Sequence, residues 1–309
     1  MDFADVPINL NRLRLFLAVV EHGGVRKAAE EISISQPAIS QAIQALEGEL
    51  GVALLERIGR HVRPTAAGVL LNDHGRRIFA ETQAARQALD ELKGVTSGKL
   101  AIGASTTIGI YILPDPLGHF HRRHPAVELS LNIANTQQIV RQLTETRLDL
   151  AFVEGPVAVP ELAVTSFRKD ELVLIAAPGH PLCAQVPVGM PELAEVPFLM
   201  REVGSGTREI VERAFARWGI VPNVMMDLGH TEAIKNAVAA GLGVSILSRM
   251  TVARDVAEGR LVILPIAAGP IQRDLFVVQR ANGHLTPASR AFLDLLTPRH
   301  KSTLDAVLE

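Results

Sequence analysis

Apolar side chains near the start of the chain recur at helical spacing. Leu13, Phe16, Leu17 and Val20 stand at i, i+3, i+4 and i+7, one face of a helix over residues 10–23 that Gly23-Gly24 ends. A short second helix is predicted over Val25–Ile32, with Ala28-Ala29 small enough for close helix approach. Ser33-Ile34-Ser35 reads as a turn, with Ser35 placed to cap a third helix. Pro37 falls in the first turn of that helix, where its missing N–H costs no hydrogen bond. Ile39, Ile43, Leu46 and Leu50 follow at i, i+4, i+7 and i+11 and face the core. Two short extended pieces, Leu54–Arg57 and His61–Pro64, joined by Ile58-Gly59-Arg60, then predict a hairpin.

From Thr65, a fitting N-cap, to Lys93 no proline interrupts, and one long helix is expected. Val69, Leu70, Ile78, Phe79, Ala85, Leu89 and Leu92 approximate an apolar stripe along it. Gly94 to Gly98 reads as a stop and a flexible joint. Beyond it the texture alternates. Leu100–Gly103, Leu148–Val153 and the almost wholly apolar Leu172–Ala176 read as strands, with helical patterns at Gln137–Thr146 and Arg208–Trp218 between them. Alternation of this kind argues for an α/β domain of two lobes. The expected organisation is a winged helix-turn-helix over 1–64, a linker helix and hinge over 65–97, and an α/β domain over 98–309.

Composition narrows the function classes. The 309 residues are 48% hydrophobic and 21% charged, as in a globular protein, and no run of apolar residues is long enough for a membrane span. The acidic start Met1–Asp5 lacks the basic and apolar regions of a secretory signal, so a cytoplasmic protein is expected. Cys183 is the only cysteine, which excludes an internal disulfide and a cysteine-built zinc site. Net charge is −2. Within 9–68, Arg12, Arg14, Arg26, Lys27, Arg57, Arg60 and Arg63 stand against Glu21, Glu30, Glu31, Glu47, Glu49 and Glu56, an excess of one positive charge. Any nucleic-acid contact must therefore rest on where charges sit, not on their sum.

Gln36, Ser40, Gln41 and Gln44 are the outward positions on the third helix, and amide and hydroxyl groups suit base edges in the major groove. Arg57, Arg60 and Arg63 on the hairpin are placed to reach phosphates. The pattern alone also fits a plain three-helix bundle with a solvated polar face and a basic turn.

Residues 10–68 resemble the N-terminal domain of the LysR-type transcriptional regulators. The resemblance is carried by Ala28-Ala29-Glu30, Ser35-Gln36-Pro37-Ala38-Ile39-Ser40, Ala45-Leu46-Glu47, Glu49-Leu50-Gly51, Glu56-Arg57 and Arg63-Pro64-Thr65-Ala66-Ala67-Gly68, in order and spacing. It implies a winged helix on double-stranded DNA, a linker helix that pairs two subunits, and a two-lobed, periplasmic-binding-protein-like effector domain. It also implies a homodimer or a homotetramer, two strands crossing between lobes near Ser166–Asp170 and Leu264–Ala268, and so lobes of 98–168 plus 267–298, and 169–266. Ser35, Gln36, Pro37 and Ser40 follow the family pattern. Gly24 or Arg26 stands where the family commonly has a small hydroxyl residue, and Gln41 and Gln44 where it commonly has Arg. Arg26 and Lys27 are then candidates for replacement phosphate contacts.

Four clusters are candidate ligand contacts: Ser105-Thr106-Thr107, Asn135-Thr136, Glu202 with Ser205, Thr207 and Arg208, and Thr231. Each opens a predicted helix, where free N–H groups favour an anion, yet taken alone each such cluster is more often a set of ordinary helix caps than a ligand contact. Their convergence at strand ends is what favours a ligand. Arg201–Arg208 also resembles the subgroup that regulates carbon fixation and sulfur assimilation, which implies a small oxyanion or a phosphorylated or carboxylated metabolite. Gly241-Leu242-Gly243 is only part of a dinucleotide fingerprint, and His119, His121 and His124 lack the partners of a metal site. No nucleophile elbow is present, so neither an enzyme nor a cofactor is expected. A solute-binding protein shares the two-lobed fold but not the appended helices of 10–64.

Overall fold

The computed structural model describes residues 8–58, 61–92, 98–281, 283 and 285–296. The chain divides into two compact units, one ending at Arg86 and the other beginning at Gln87.

In the first unit, α1 (Leu10–His22), α2 (Val25–Ile32) and α3 (Gln36–Leu50) pack around Leu13, Phe16, Ile39, Ile43 and Leu46. Asn9 caps α1 through its side chain, and Gly23 ends it in the left-handed conformation that glycine adopts without a Cβ clash. The Arg12–Glu49 ion pair joins α1 to α3. Glu47 Oε1 accepts the backbone N–H groups of Leu54 (2.7 Å) and Leu55 (3.2 Å). That one carboxylate ties the hairpin of β1 (Leu55–Ile58) and β2 (His61–Pro64) to the body of α3.

The long helix α4 runs Ala66–Leu92, and Thr65 caps it by accepting from Gly68 N. Leu71 and Phe79 pack on the helical core, and a Cβ on Gly75 would press against Leu13 and Leu17. Val69, Leu70 and Ile78 from the expected apolar stripe stay exposed. The expected joint at Gly94–Gly98 lies outside the described residues except for Gly98.

The second unit is built on β3 (Gly98–Ser105), α5 (Thr106–Tyr111), α6 (Pro114–Arg123), β4 (Val127–Ala134), α7 (Thr136–Thr144), β5 (Leu150–Glu154) and β6 (Leu162–Ala176). There follow α8 (Met190–Glu195), β7 (Pro197–Arg201), α9 (Gly206–Trp218), β8 (Asn223–Leu228), α10 (Thr231–Ala239), β9 (Ser245–Ser248), α11 (Arg249–Ala257), β10 (Val262–Leu264), β11 (Ile271–Arg280) and α12 (Pro287–Leu296). One lobe closes around Leu100, Ile102, Phe120, Phe152 and Phe292, the other around Leu174, Phe198, Phe215 and Val244.

Strands β6 and β11 pair antiparallel along nearly their whole length, from Leu162↔Arg280 to Leu172↔Ile271. They run through both lobes and hold them in one sheet of order β10-β6-β11-β5-β3-β4. The second crossing therefore lies at Ile271–Arg280 and not at Leu264–Ala268, where only Leu264 belongs to a strand. Ala268-Gly269-Pro270 forms the approach instead, and Gly269 takes a left-handed turn. Among the described residues no helix is long and apolar enough to cross a membrane.

Candidate DNA-binding and effector sites

On the DNA side, Ser35, Gln36, Pro37, Ser40, Gln41 and Gln44 are all exposed on the first half of α3, because Ile39 and Ile43 turn the opposite stripe inward. Ser35 stands at the N-cap without a side-chain capping bond, so its hydroxyl is not spent on the helix. Arg26 and Lys27 are exposed on the first turn of α2, with Arg26 paired to Glu30 at 3.3 Å.

Hairpin register separates the basic residues. Arg63 lies opposite Glu56, and Arg57 opposite Val62, so alternation sends Arg57 and Arg63 to opposite faces. Arg60 lies outside the described residues.

In the two-lobed unit the predicted hydroxyl clusters are brought together, and charged residues absent from the sequence-based prediction organise them. Glu154 ends β5, and its carboxylate accepts from Thr107 N (3.1 Å), Thr207 Oγ1 (2.8 Å) and Arg273 Nη1 (3.0 Å). Burial pushes this carboxyl up. Arg273, the Thr107 and Thr207 hydrogen bonds and Arg201 outweigh that and hold it below the ordinary carboxylate range. Arg273 reaches on to Asp170 at 2.6 Å, and Ser248 Oγ donates to the same carboxylate. Thr107 and Thr207 are thus occupied with this buried network.

Thr136 is also structural in its contacts. Its hydroxyl donates to the Glu154 carbonyl and accepts from Gly206 N, joining the N-terminus of α7 to that of α9. A Cβ at 206 would collide with the Glu154 carbonyl oxygen, so only glycine admits this approach. Asn135 makes a capping box with Gln138, and Ser205 caps α9 through Arg208 N. Arg208 is taken up by Glu212, Asp227 and the Arg201 carbonyl.

Arg201 ends β7 with its side chain 3% exposed. It donates to Thr231 at the start of α10 (3.1 Å), to Thr106 at the start of α5 (3.4 Å), and through two nitrogens to Glu202. Beside Thr106, Ser105 is 2% exposed, and its Oγ has no hydrogen-bond partner among the described residues. Its position at the N-cap of α5 predicted a capping bond; none is made. A hydroxyl so buried and unmatched is costly unless a partner arrives. N-termini of α7, α9 and α10, a shielded guanidinium and this hydroxyl together favour an anionic, oxygen-rich guest.

The chain is similar to known proteins throughout. Residues 10–69 match the family described as bacterial regulatory helix-turn-helix protein, lysR family, and residues 93–301 match the LysR substrate binding domain. The RuBisCO operon transcriptional regulator of Allochromatium vinosum is 36% identical over 289 residues, covering 94% of this chain and 95% of that protein. The similarity to carbon-fixation regulators expected from residues 201–208 thus extends along almost the whole chain. Full-length OxyR from Pseudomonas aeruginosa superposes with a TM-score of 0.74 at 25% identity, covering 94% of this chain and 93% of that one. The CcmR regulatory domain of Synechocystis, solved in complex with 2-PG, gives a TM-score of 0.62 at 36% identity, covering 66% of this chain and 98% of that one.

Proposed function

Since the chain belongs to the LysR family of transcriptional regulators, with a helix-turn-helix domain and an effector-binding domain, we propose that its effector is a small phosphorylated or carboxylated anion held where α7, α9 and α10 begin. The observation that carries this reading is the buried, unpartnered hydroxyl of Ser105, next in the chain to Thr106, whose own hydroxyl Arg201 reaches at 3.4 Å. A bound oxyanion would accept from Ser105 and share the Arg201 guanidinium with Thr106, Thr231 and Glu202. The relative solved with 2-PG, 2-phosphoglycolate, supports the same chemistry. Thr107, Thr136 and Thr207 then act as positioning residues, because their hydroxyls hold the frame that presents the helix ends.

On DNA, Gln36, Ser40, Gln41 and Gln44 read base edges, while Arg26, Lys27, Arg57, Arg60 and Arg63 engage phosphates. Two copies pair through α4, whose exposed Val69, Leu70 and Ile78 offer apolar surface, and a homotetramer forms as a dimer of such dimers. The protein works in the cytoplasm, where its DNA lies. An effector shifts regulation only by binding one arrangement of the lobes more tightly than another. The test is fluorescence anisotropy of the full chain on its own upstream DNA and on random DNA, with and without 2-phosphoglycolate. A ligand-dependent change confined to the specific DNA supports the reading. Specific binding that no small anion alters contradicts it.

A further inference from the structure

We propose that a second small-molecule site lies at the crossing strands, distinct from the interlobe anion site, and that it takes a ligand with an aromatic or branched apolar body and one anionic group. A cavity of about 470 Å³ opens there, within the range of ligand sites and far larger than packing voids. One wall is a single face of α9: Ile210, Arg213, Ala214 and Arg217 follow at i, i+3, i+4 and i+7, and Trp218 closes it. Pro156, just past β5, forms another wall, and Pro270 and Phe276 form the third. The cavity therefore touches both lobes and the strand that joins them, whereas the interlobe site uses only the N-terminal end of α9.

Charge decides the ligand class. Arg273 borders the cavity, but its guanidinium is consumed by Glu154 and Asp170. Asp274 accepts from Ser166 and pairs with Lys169, and Arg213 pairs with Glu209 at 2.7 Å. Arg217 has no ion-pair or hydrogen-bond partner among the described residues, so one cation is available to a ligand. Ile210, Trp218, Pro270 and Phe276 supply the apolar surface around it. A small phosphorylated anion would satisfy Arg217 and leave that surface wet. An aryl or alkyl carboxylate or sulfonate covers both, and by bridging the lobes it favours one arrangement of the crossing strands.

The test uses 8-anilinonaphthalene-1-sulfonate on the full chain. Trp218 is the only tryptophan, so dye emission sensitised by tryptophan reports a dye bound within energy-transfer range of it, and the variants locate that dye. The proposal predicts saturable sensitised emission that Arg217→Ala weakens about tenfold. Ala268→Phe, an exposed position on the rim, weakens it comparably by narrowing the cavity. The uncharged analogue N-phenyl-1-naphthylamine binds wild type and Arg217→Ala alike, and Ser105→Ala leaves dye binding unchanged. Dye affinity within about twofold of wild type in both Arg217→Ala and Ala268→Phe overturns the proposal. Loss of dye binding in Ser105→Ala alone places the dye in the interlobe site and overturns it too, without bearing on the effector reading.

Discussion

Arg273 and Glu154 meet at 3.0 Å with their side chains 0% and 2% exposed, and the guanidinium bridges onward to Asp170. This pair joins β11 to β5, while Asp170 brings in β6. Such a cluster is costly to desolvate, and its value lies in being complete. Arg273→Met removes the cation that pairs directly with two buried carboxylates, with an expected loss of about 3–5 kcal/mol. Thermal melting followed through Trp218, which reports on this unit, reads the loss. Adding Glu154→Gln and Asp170→Asn to Arg273→Met is expected to recover part of it, which a simple packing defect would not do.

Gly206→Ala tests the close approach of α9 to β5. The added methyl meets the Glu154 carbonyl, so the helix must shift and the Thr136–Gly206 bond lengthens. A destabilisation of about 1–3 kcal/mol is expected in the same melting experiment. Gly219→Ala sets the contrast: there the methyl meets no neighbour, and its cost comes only from the left-handed backbone.

Tyr111, the only tyrosine, donates its hydroxyl to Glu232 and so links α5 to α10. Burial first, and the Glu232 hydrogen bond second, push its pKa from 10.0 to about 12. Because the folded value is the raised one, the associated stability is complete below 10.0 and is lost as pH rises toward about 12. Ultraviolet titration of the phenol is expected to give a midpoint near 12 in the folded chain. Glu232→Gln should lower that midpoint without returning it to 10.0, since burial is the larger cause.

On the DNA side, Gln36→Ala and Ser40→Ala are each expected to weaken specific binding by about 1–3 kcal/mol and to spare random DNA. Arg63→Ala should weaken both and lower the salt slope by about one. Anisotropy titrations across a salt series separate the two behaviours. Equal losses on both DNAs for Gln36→Ala would mean a backbone contact.

Local chemistry made the helical unit legible. Gly23-Gly24, Pro37 and the apolar spacings set α1, α2 and α3 to within a residue or two, and Thr65 marks the start of α4. The hydroxyl clusters were legible as helix starts. Their roles were not, because Thr107 and Thr207 bond to Glu154 and Arg273, partners 47 to 166 residues away. A charged residue in Gln272-Arg273-Asp274 looks like an outward strand position when read locally, and only the β6–β11 pairing turns Arg273 inward. The second crossing has a different origin: the family resemblance implied it near Leu264–Ala268, whereas in this chain the left-handed turn at Gly269 and then Pro270 delay the strand to Ile271. Ser105 was legible as a cap, and its missing partner appears only when its burial is known.

Isothermal titration of 2-phosphoglycolate into the full chain, wild type against Ser105→Ala, tests the effector site most directly. The account predicts saturable binding to wild type and a loss of about 1–3 kcal/mol in Ser105→Ala, with the melting temperature of the unliganded variant unchanged or raised. Equal affinities in the two proteins, or no binding to wild type by this or other small phosphorylated and carboxylated anions, would contradict it.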